Sequence, residues 1–198
     1  VYEKGAELIR MLKTYIGPNA FARGMAIYFE TYDGTASTIE DFYTSFEKAS
    51  GRDLEHFRLW YAQAGTPKVR VRRIDGDGDQ PAKLSITQST PATPGQPDKA
   101  PVLLPLRIAF YNENGQRVDT RGTPLDGEAD DVVVLDTETI EVPLGSLPAS
   151  TLVSVNRSFS TPIKLSDDLT DEERLRILQV ETDAFARWEA LQTLARQT

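Results

Sequence analysis

Apolar residues recur at helical spacing through the first third of the chain. Leu8, Leu12 and Ile16 fall on one face of a helix predicted from about Tyr2 to Ile16. Gly17-Pro18 ends that helix and suits the start of another. Three further apolar stripes predict three more helices, and the short loops between the four indicate an antiparallel bundle. These stripes are Phe21, Met25, Tyr28, Phe29 and Tyr32; Ile39, Phe42, Tyr43, Phe46 and Ala49; and Leu54, Phe57, Trp60 and Tyr61.

Capping residues set the expected ends of the later helices. Ser37 or Thr38 can cap the third helix, where Asp41 lies in the first turn. Gly51 is placed to close that helix. Asp53 is placed to cap the fourth helix, and Gly65-Thr66-Pro67 then breaks the helical pattern.

The period of the apolar pattern changes to two after residue 67. Val69 and Val71 alternate with arginines, as on a half-buried strand. Further short strands follow with turns and no helix between them, which predicts an antiparallel β-sandwich of about 100 residues. The chain as a whole is therefore predicted to be α+β and multidomain. The other strands are predicted at Leu84–Gln88, Leu104–Phe110, Val132–Leu135, Thr139–Val142 and Leu152–Val155.

The last segment, residues 166–198, is predicted to form one acidic helix capped by Thr170 or Asp171. The apolar residues of this helix need a partner, so we expect it to be the first helix of a further helical domain. The predicted domains are residues 1–66, 67–165 and 166–198. The severed helical bundle should also expose aromatic faces, which predicts self-association of the isolated chain.

Composition narrows the classes of function. The net charge of −8 gives no basic surplus with which to bind a phosphate backbone, so no nucleic-acid partner is expected. No apolar run approaches the roughly 20 residues that span a bilayer, so no membrane partner is expected. The sequence contains no cysteine, which rules out disulfides and thiolate metal sites and fits a reducing compartment.

Candidate metal and nucleophile sites are few. A zinc site needs three or four ligands, and His56 is the only histidine in the sequence. The same shortage argues against a Ser-His-Asp triad. Asp75, Asp77 and Asp79 imitate the start of an EF-hand loop, but Gln80 and Ile86 stand where that loop needs Gly and Glu. A solvated hairpin turn is the better interpretation.

Tyr2 has two interpretations. It can be an ordinary tyrosine at the start of a helix. Alternatively, its phenol, which is protonated at neutral pH, can donate a hydrogen bond to a developing oxyanion. Spacing along the sequence does not choose between the two.

Several segments resemble bacterial aminopeptidase N, the alanyl aminopeptidase family. The opening block, Val1-Tyr2-Glu3-Lys4-Gly5-Ala6-Glu7-Leu8-Ile9-Arg10-Met11, is similar to the segment that carries the catalytic tyrosine of that family. The resemblance continues in order through nearly the whole chain. The other similar segments are Tyr28-Phe29-Glu30, Asp33–Thr38, Phe57–Pro67, Gln88–Gln96 and Phe185–Ala190.

The resemblance implies a function for a longer parent protein. Members are gluzincin metallopeptidases that use zinc to remove N-terminal amino acids from peptides, and Tyr2 matches the residue that stabilises their tetrahedral intermediate. The HExxH motif, the third zinc ligand and the motif that holds the substrate amine are absent from this sequence. The chain is therefore expected to be an inactive fragment without catalytic zinc, whose partners are the remaining domains and, for the parent, peptide substrates.

The resemblance also implies a bacterial, cytoplasmic protein. It assigns residues 1–66 to the last helices of a thermolysin-like catalytic domain. An alternative stays open: a non-catalytic interaction module in which a helical bundle is joined to an Ig-like sandwich.

Overall fold

A computed structural model describes residues 2–76, 82–118, 132–145, 147–148 and 150–197, without the side chain of Gln197. Asp77, Asp79 and Gln80 of the predicted turn lie outside these residues. The chain divides into two compact units, Val1–Ala64 and Gly65–Thr198. Helices make up the first unit, whereas the second combines strands and helices, so the α+β class is confirmed.

The first unit contains three regular helices at the predicted positions. They are α1 (Tyr2–Ile16), α2 (Pro18–Tyr32) and α3 (Ile39–Ser50). Thr38 caps α3 through a reciprocal capping box with Asp41, and Gly51 closes the helix in the left-handed conformation. The centre of the unit is aromatic, because Tyr43, Phe46 and Phe57 are fully buried.

The predicted fourth helix is not a continuous α-helix. A 3₁₀ helix (His56–Arg58) leads into a single α turn, α4 (Leu59–Ala62). Asp53 does not cap a regular helix; its carboxylate accepts from the Glu55 amide, 2.8 Å away, in a local turn. Burial of Leu54, Phe57 and Trp60 fixes this irregular segment, since tertiary packing overrides a weak helical preference.

In the second unit, seven described strands form two sheets. These strands are β1 (Lys68–Ile74), β2 (Lys83–Ser89), β3 (Leu104–Tyr111), β4 (Val132–Leu135), β5 (Thr139–Pro143), β6 (Leu152–Val155) and β7 (Lys164–Ser166). One sheet has the order β5-β2-β1-β7 and the other the order β4-β3-β6. Every predicted strand is present. The pair β1–β7 is parallel, with Lys68 opposite Lys164, so the predicted all-antiparallel arrangement is wrong at this edge.

Where the sequence predicts one terminal helix, the structure has two. These are α5 (Asp171–Val180) and α6 (Ala184–Gln197). Thr170 caps α5 through a capping box with Glu173, as predicted. Helix α5 ends at Val180, and Glu181, the next residue, is buried. Asp183 then caps the start of α6, because its carboxylate accepts from the Ala186 amide at 2.9 Å. In the described residues, no helix is long and apolar enough to cross a membrane.

Candidate functional site

Tyr2, the predicted site residue, is the first residue of α1 and is 94% exposed. The buried residues of α1 are Leu8, Met11, Leu12 and Ile16, which form one stripe against the rest of the unit. Lys4 continues this stripe one turn towards the N-terminus. Because Tyr2 lies two residues before Lys4, about 200° around the helix, its side chain is on the opposite side. The phenol therefore faces away from the core of its own unit.

The helix surface beside Tyr2 is open. Gly5 and Ala6 follow it by three and four residues, so they are its neighbours on the same face of α1. A Cβ atom built on Gly5 would meet no atom within 4 Å. Ala6 is exposed. These small residues leave room for another group to approach the phenol closely.

Lys4, near the start of α1, contacts Trp60, which lies in α4 near the end of the same unit. Its Nζ lies 5.4 Å from the ring centroid of Trp60, within the range of a cation–π interaction. Trp60 is buried, with 5% of its surface exposed, and Lys4 is half-buried. Burial lowers the pKa of Lys4. The ammonium group is therefore held against the ring rather than extended into solvent.

The described residues do not fit a catalytic zinc ion. No group of three or more His, Cys, Asp or Glu side chains in the described part of the chain is placed to hold a metal. His56 is half-buried in the 3₁₀ helix. Only one histidine and no cysteine occur in the sequence, so the nitrogen and sulfur donors that zinc favours are lacking.

A buried polar network in the second unit was not predicted. Glu181, whose side chain is fully buried, accepts from the Tyr111 phenol at 2.7 Å and from the Arg157 guanidinium at 3.2 Å. Asp183 accepts from the amide of Ser158 at 2.8 Å. Tyr111 and Glu181 are 70 positions apart in sequence. A negative residue between two helical segments is an ordinary surface pattern, so no local signal marked this network.

The second unit also contains a cleft of about 480 Å³ between the sheets and helices α5 and α6. Apolar side chains such as Val71 and Leu84 line it together with the ion pair of Arg174 and Asp167. Arg174 donates to Asp167 through two nitrogens, at 2.7 and 3.2 Å. The two opposite charges lie in direct contact, whereas the buried Nε of Arg174 has no hydrogen-bond partner among the described residues.

Two family models match adjoining parts of the chain. Residues 1–61 match the family described as "Peptidase family M1 domain". Residues 65–168, about half of the chain, match the family described as "Domain of unknown function (DUF3458) Ig-like fold". The boundary between the two matches falls where the helical unit meets the strand-containing unit.

Curated relatives match over nearly the whole chain. The chain is 37% identical to aminopeptidase N of Escherichia coli over 98% of its length and 43% identical to aminopeptidase N of Caulobacter vibrioides over 99%. It spans 22% of the length of each relative. Among solved structures, it superposes with a TM-score of 0.81 on Legionella pneumophila aminopeptidase A in complex with aspartic acid, at 26% identity, covering 97% of this chain and 21% of the other.

Proposed function

Because this chain belongs to the family of bacterial aminopeptidase N, in peptidase family M1, we propose that it is part of a zinc aminopeptidase. In this proposal the parent protein removes N-terminal amino acids from peptides. Residues 1–66 are the last helices of its catalytic domain, residues 67–165 its β-sandwich and residues 166–198 the start of its C-terminal helical domain. The identity to aminopeptidase N along 98% or more of the chain carries the proposal.

The zinc site of the parent is proposed to come from residues outside this chain. The donor set supports this, because the described residues offer no cluster of metal ligands. We therefore expect the 198-residue chain, purified alone, to retain no stoichiometric zinc by atomic emission spectrometry and to release no p-nitroaniline from alanine-p-nitroanilide. Stoichiometric zinc in the chain alone would contradict this part of the proposal.

Tyr2 is proposed to stabilise the oxyanion that forms when the scissile carbonyl is attacked. The phenol O–H donates a hydrogen bond to the carbonyl oxygen, and this bond strengthens as the oxygen gains negative charge. Two observations support the role: the side chain is 94% exposed, and it faces away from the core of its own unit beside small neighbours. A tyrosine that only completed the helix bundle would lie on the buried stripe.

The test is Tyr2→Phe in the full parent protein. Removing one such donor typically lowers kcat by about 10²–10³, and we expect KM to change little because the bond acts mainly in the transition state. Tyr15→Phe is the matched control, since it removes the same hydroxyl from the same helix while keeping the ring that Arg52 covers at 4.8 Å. An unchanged kcat in Tyr2→Phe would contradict the role.

The two sheets are proposed to pack face to face as a sandwich. The alternating burial of β1 and β2 supports this, as do the hydrogen bonds that buried Gln88 of β2 makes to Val102, just before β3, and to Leu135 at the end of β4. A crystal structure of the chain tests the arrangement.

We also propose a bacterial cytoplasmic location, which fits the absence of cysteine from the sequence. Fractionation of the source cells tests this location.

A further inference from the structure

We infer that Lys4 is a positioning residue for Tyr2, acting through its contact with Trp60. This inference rests on the proposed role of Tyr2 and extends it to residues that do not touch the substrate. Lys4 holds the first turn of α1 against the end of the same unit. The position of the phenol is then fixed by a contact two residues away from it.

Among the described residues, the buried stripe of α1 begins after Lys4. Leu8 is the first buried residue of the helix, almost two turns after Tyr2. The Glu7–Arg10 pair stiffens α1, because it joins two residues of the same helix. Half-buried Lys4 reaches the core from this stretch through its contact with Trp60.

Trp60 is a rigid anchor for that contact. It is 5% exposed and follows the 3₁₀ helix in which Phe57 is fully buried. The position of its ring is therefore set by the core of the unit. Indole is also the aromatic ring that attracts a cation most strongly. Lys4 Nζ lies 5.4 Å from the centroid of this ring. The contact therefore restrains the first turn of α1 relative to the buried core.

Accurate placement of a hydrogen-bond donor matters to the reaction. A displacement of about 1 Å can cost on the order of 10² in rate, although the donor itself is intact. Loss of the Lys4–Trp60 contact leaves the phenol of Tyr2 present but less well placed. The expected effect is thus a partial loss of kcat, smaller than that of Tyr2→Phe.

The experiment is a double-mutant cycle in the full parent protein. Lys4→Met keeps the length and apolar stem but removes the charge, and we expect kcat to fall about tenfold with KM nearly unchanged. Lys4→Arg should restore most of kcat, because a guanidinium also stacks on indole. In the Tyr2→Phe background, Lys4→Met should lower kcat no further, because the group that it positions is already gone.

Each outcome has a defined meaning. Equal losses from Lys4→Met in both backgrounds would overturn the inference, and so would a raised KM with unchanged kcat. If Tyr2→Phe alone retains full kcat, that result contradicts the proposed role of Tyr2. It differs from the results that overturn the role of Lys4, which require Tyr2→Phe to lower kcat. A readout without activity completes the test: in the isolated chain, Lys4→Met should speed hydrogen exchange at the amides of Ala6 and Glu7. Unchanged exchange there would also overturn the inference.

Discussion

The phenol of Tyr111 donates a 2.7 Å hydrogen bond to Oε1 of Glu181, and this bond joins strand β3 to the segment between α5 and α6. Arg157 pairs with the same oxygen. The carboxylate is completely buried, so it depends on these partners in place of water. The network fixes the terminal helices to the strands of the second unit.

Glu181→Ala is expected to destabilise the second unit by about 3–5 kcal/mol, because it leaves the largely buried charge of Arg157 unpaired. Tyr111→Phe removes one hydrogen bond to a charged group and is expected to cost about 1.5–3 kcal/mol. Urea unfolding followed by hydrogen-exchange mass spectrometry separates the two units, since peptides from β3 and α5 report only on the second. An equal free energy of unfolding for both variants and the unsubstituted chain would contradict the importance of the network.

The stability of the second unit should depend on pH through Glu181. Burial alone raises the pKa of this carboxyl, but the Ser154 hydroxyl, the Asp183 amide, the Tyr111 phenol and the charge of Arg157 together bring the pKa below its usual range. A lowered folded-state pKa means that the stabilisation is complete above the unfolded value of about 4.3 and is lost as pH falls through the folded value. Urea unfolding between about pH 6 and about pH 2.5 should therefore show that the free energy of unfolding falls with pH. The fall should be smaller in Glu181→Gln, which has no carboxyl group to titrate at this position.

The same substitution at two glycines of the first unit should have opposite effects. A methyl group at Gly24 would overlap the ring of Phe46, coming to 2.7 Å from Cε1, because α2 and α3 approach closely there. Gly24→Ala is expected to destabilise the unit by about 1–3 kcal/mol. Gly5→Ala meets no neighbouring atom and should stabilise α1 by about 0.5–1 kcal/mol. Denaturant unfolding of both variants measures the sign, and a stabilised Gly24→Ala would contradict the close helix contact.

Gln88 should be intolerant of an apolar substitute. Its Oε1 accepts from the Val102 amide at 3.0 Å, and its Nε2 donates to the carbonyls of Val102 and Thr137 at 2.8 and 2.9 Å. Gln88→Met keeps the size of the side chain but removes the partner of the amide and carbonyl of buried Val102, so we expect a loss of about 3 kcal/mol. Thr87→Val, at the half-buried neighbouring position, is the control and should change stability by less than about 0.5 kcal/mol.

The isolated chain is expected to self-associate through helices α5 and α6. Leu175, Trp188 and Leu191 are each about half exposed, at 50, 52 and 49%. Exposed apolar residues grouped on neighbouring helices favour association despite the net charge of −8. Light scattering should show a mass that rises with concentration and falls to the monomer in Leu191→Glu. Gln179→Glu adds the same charge at an exposed polar position and should leave association unchanged.

Local patterns in the sequence determined most of the regular elements. The bounds of α1 follow from the apolar stripe and from Gly17-Pro18, and those of α3 from Thr38 and Gly51, because caps and stripes act within a few residues of each other. Alternation of period two likewise located the strands β1 to β3, and β4 to β6 were predicted as short strands between turns. The proposed role of Tyr2 comes from resemblance alone, since a lone tyrosine has no chemical signature in spacing.

Tertiary structure alone decided the features that join distant residues. Strand β7 has three residues, too few to show alternation, and it exists because it pairs with β1 about a hundred positions earlier. The break between α5 and α6 follows from burial of Glu181 beside Arg157 and Tyr111, which costs free energy unless all three meet. The contact of Lys4 with Trp60 has the same origin. Each depends on groups far apart in the chain, and a sequence pattern reports only on neighbours.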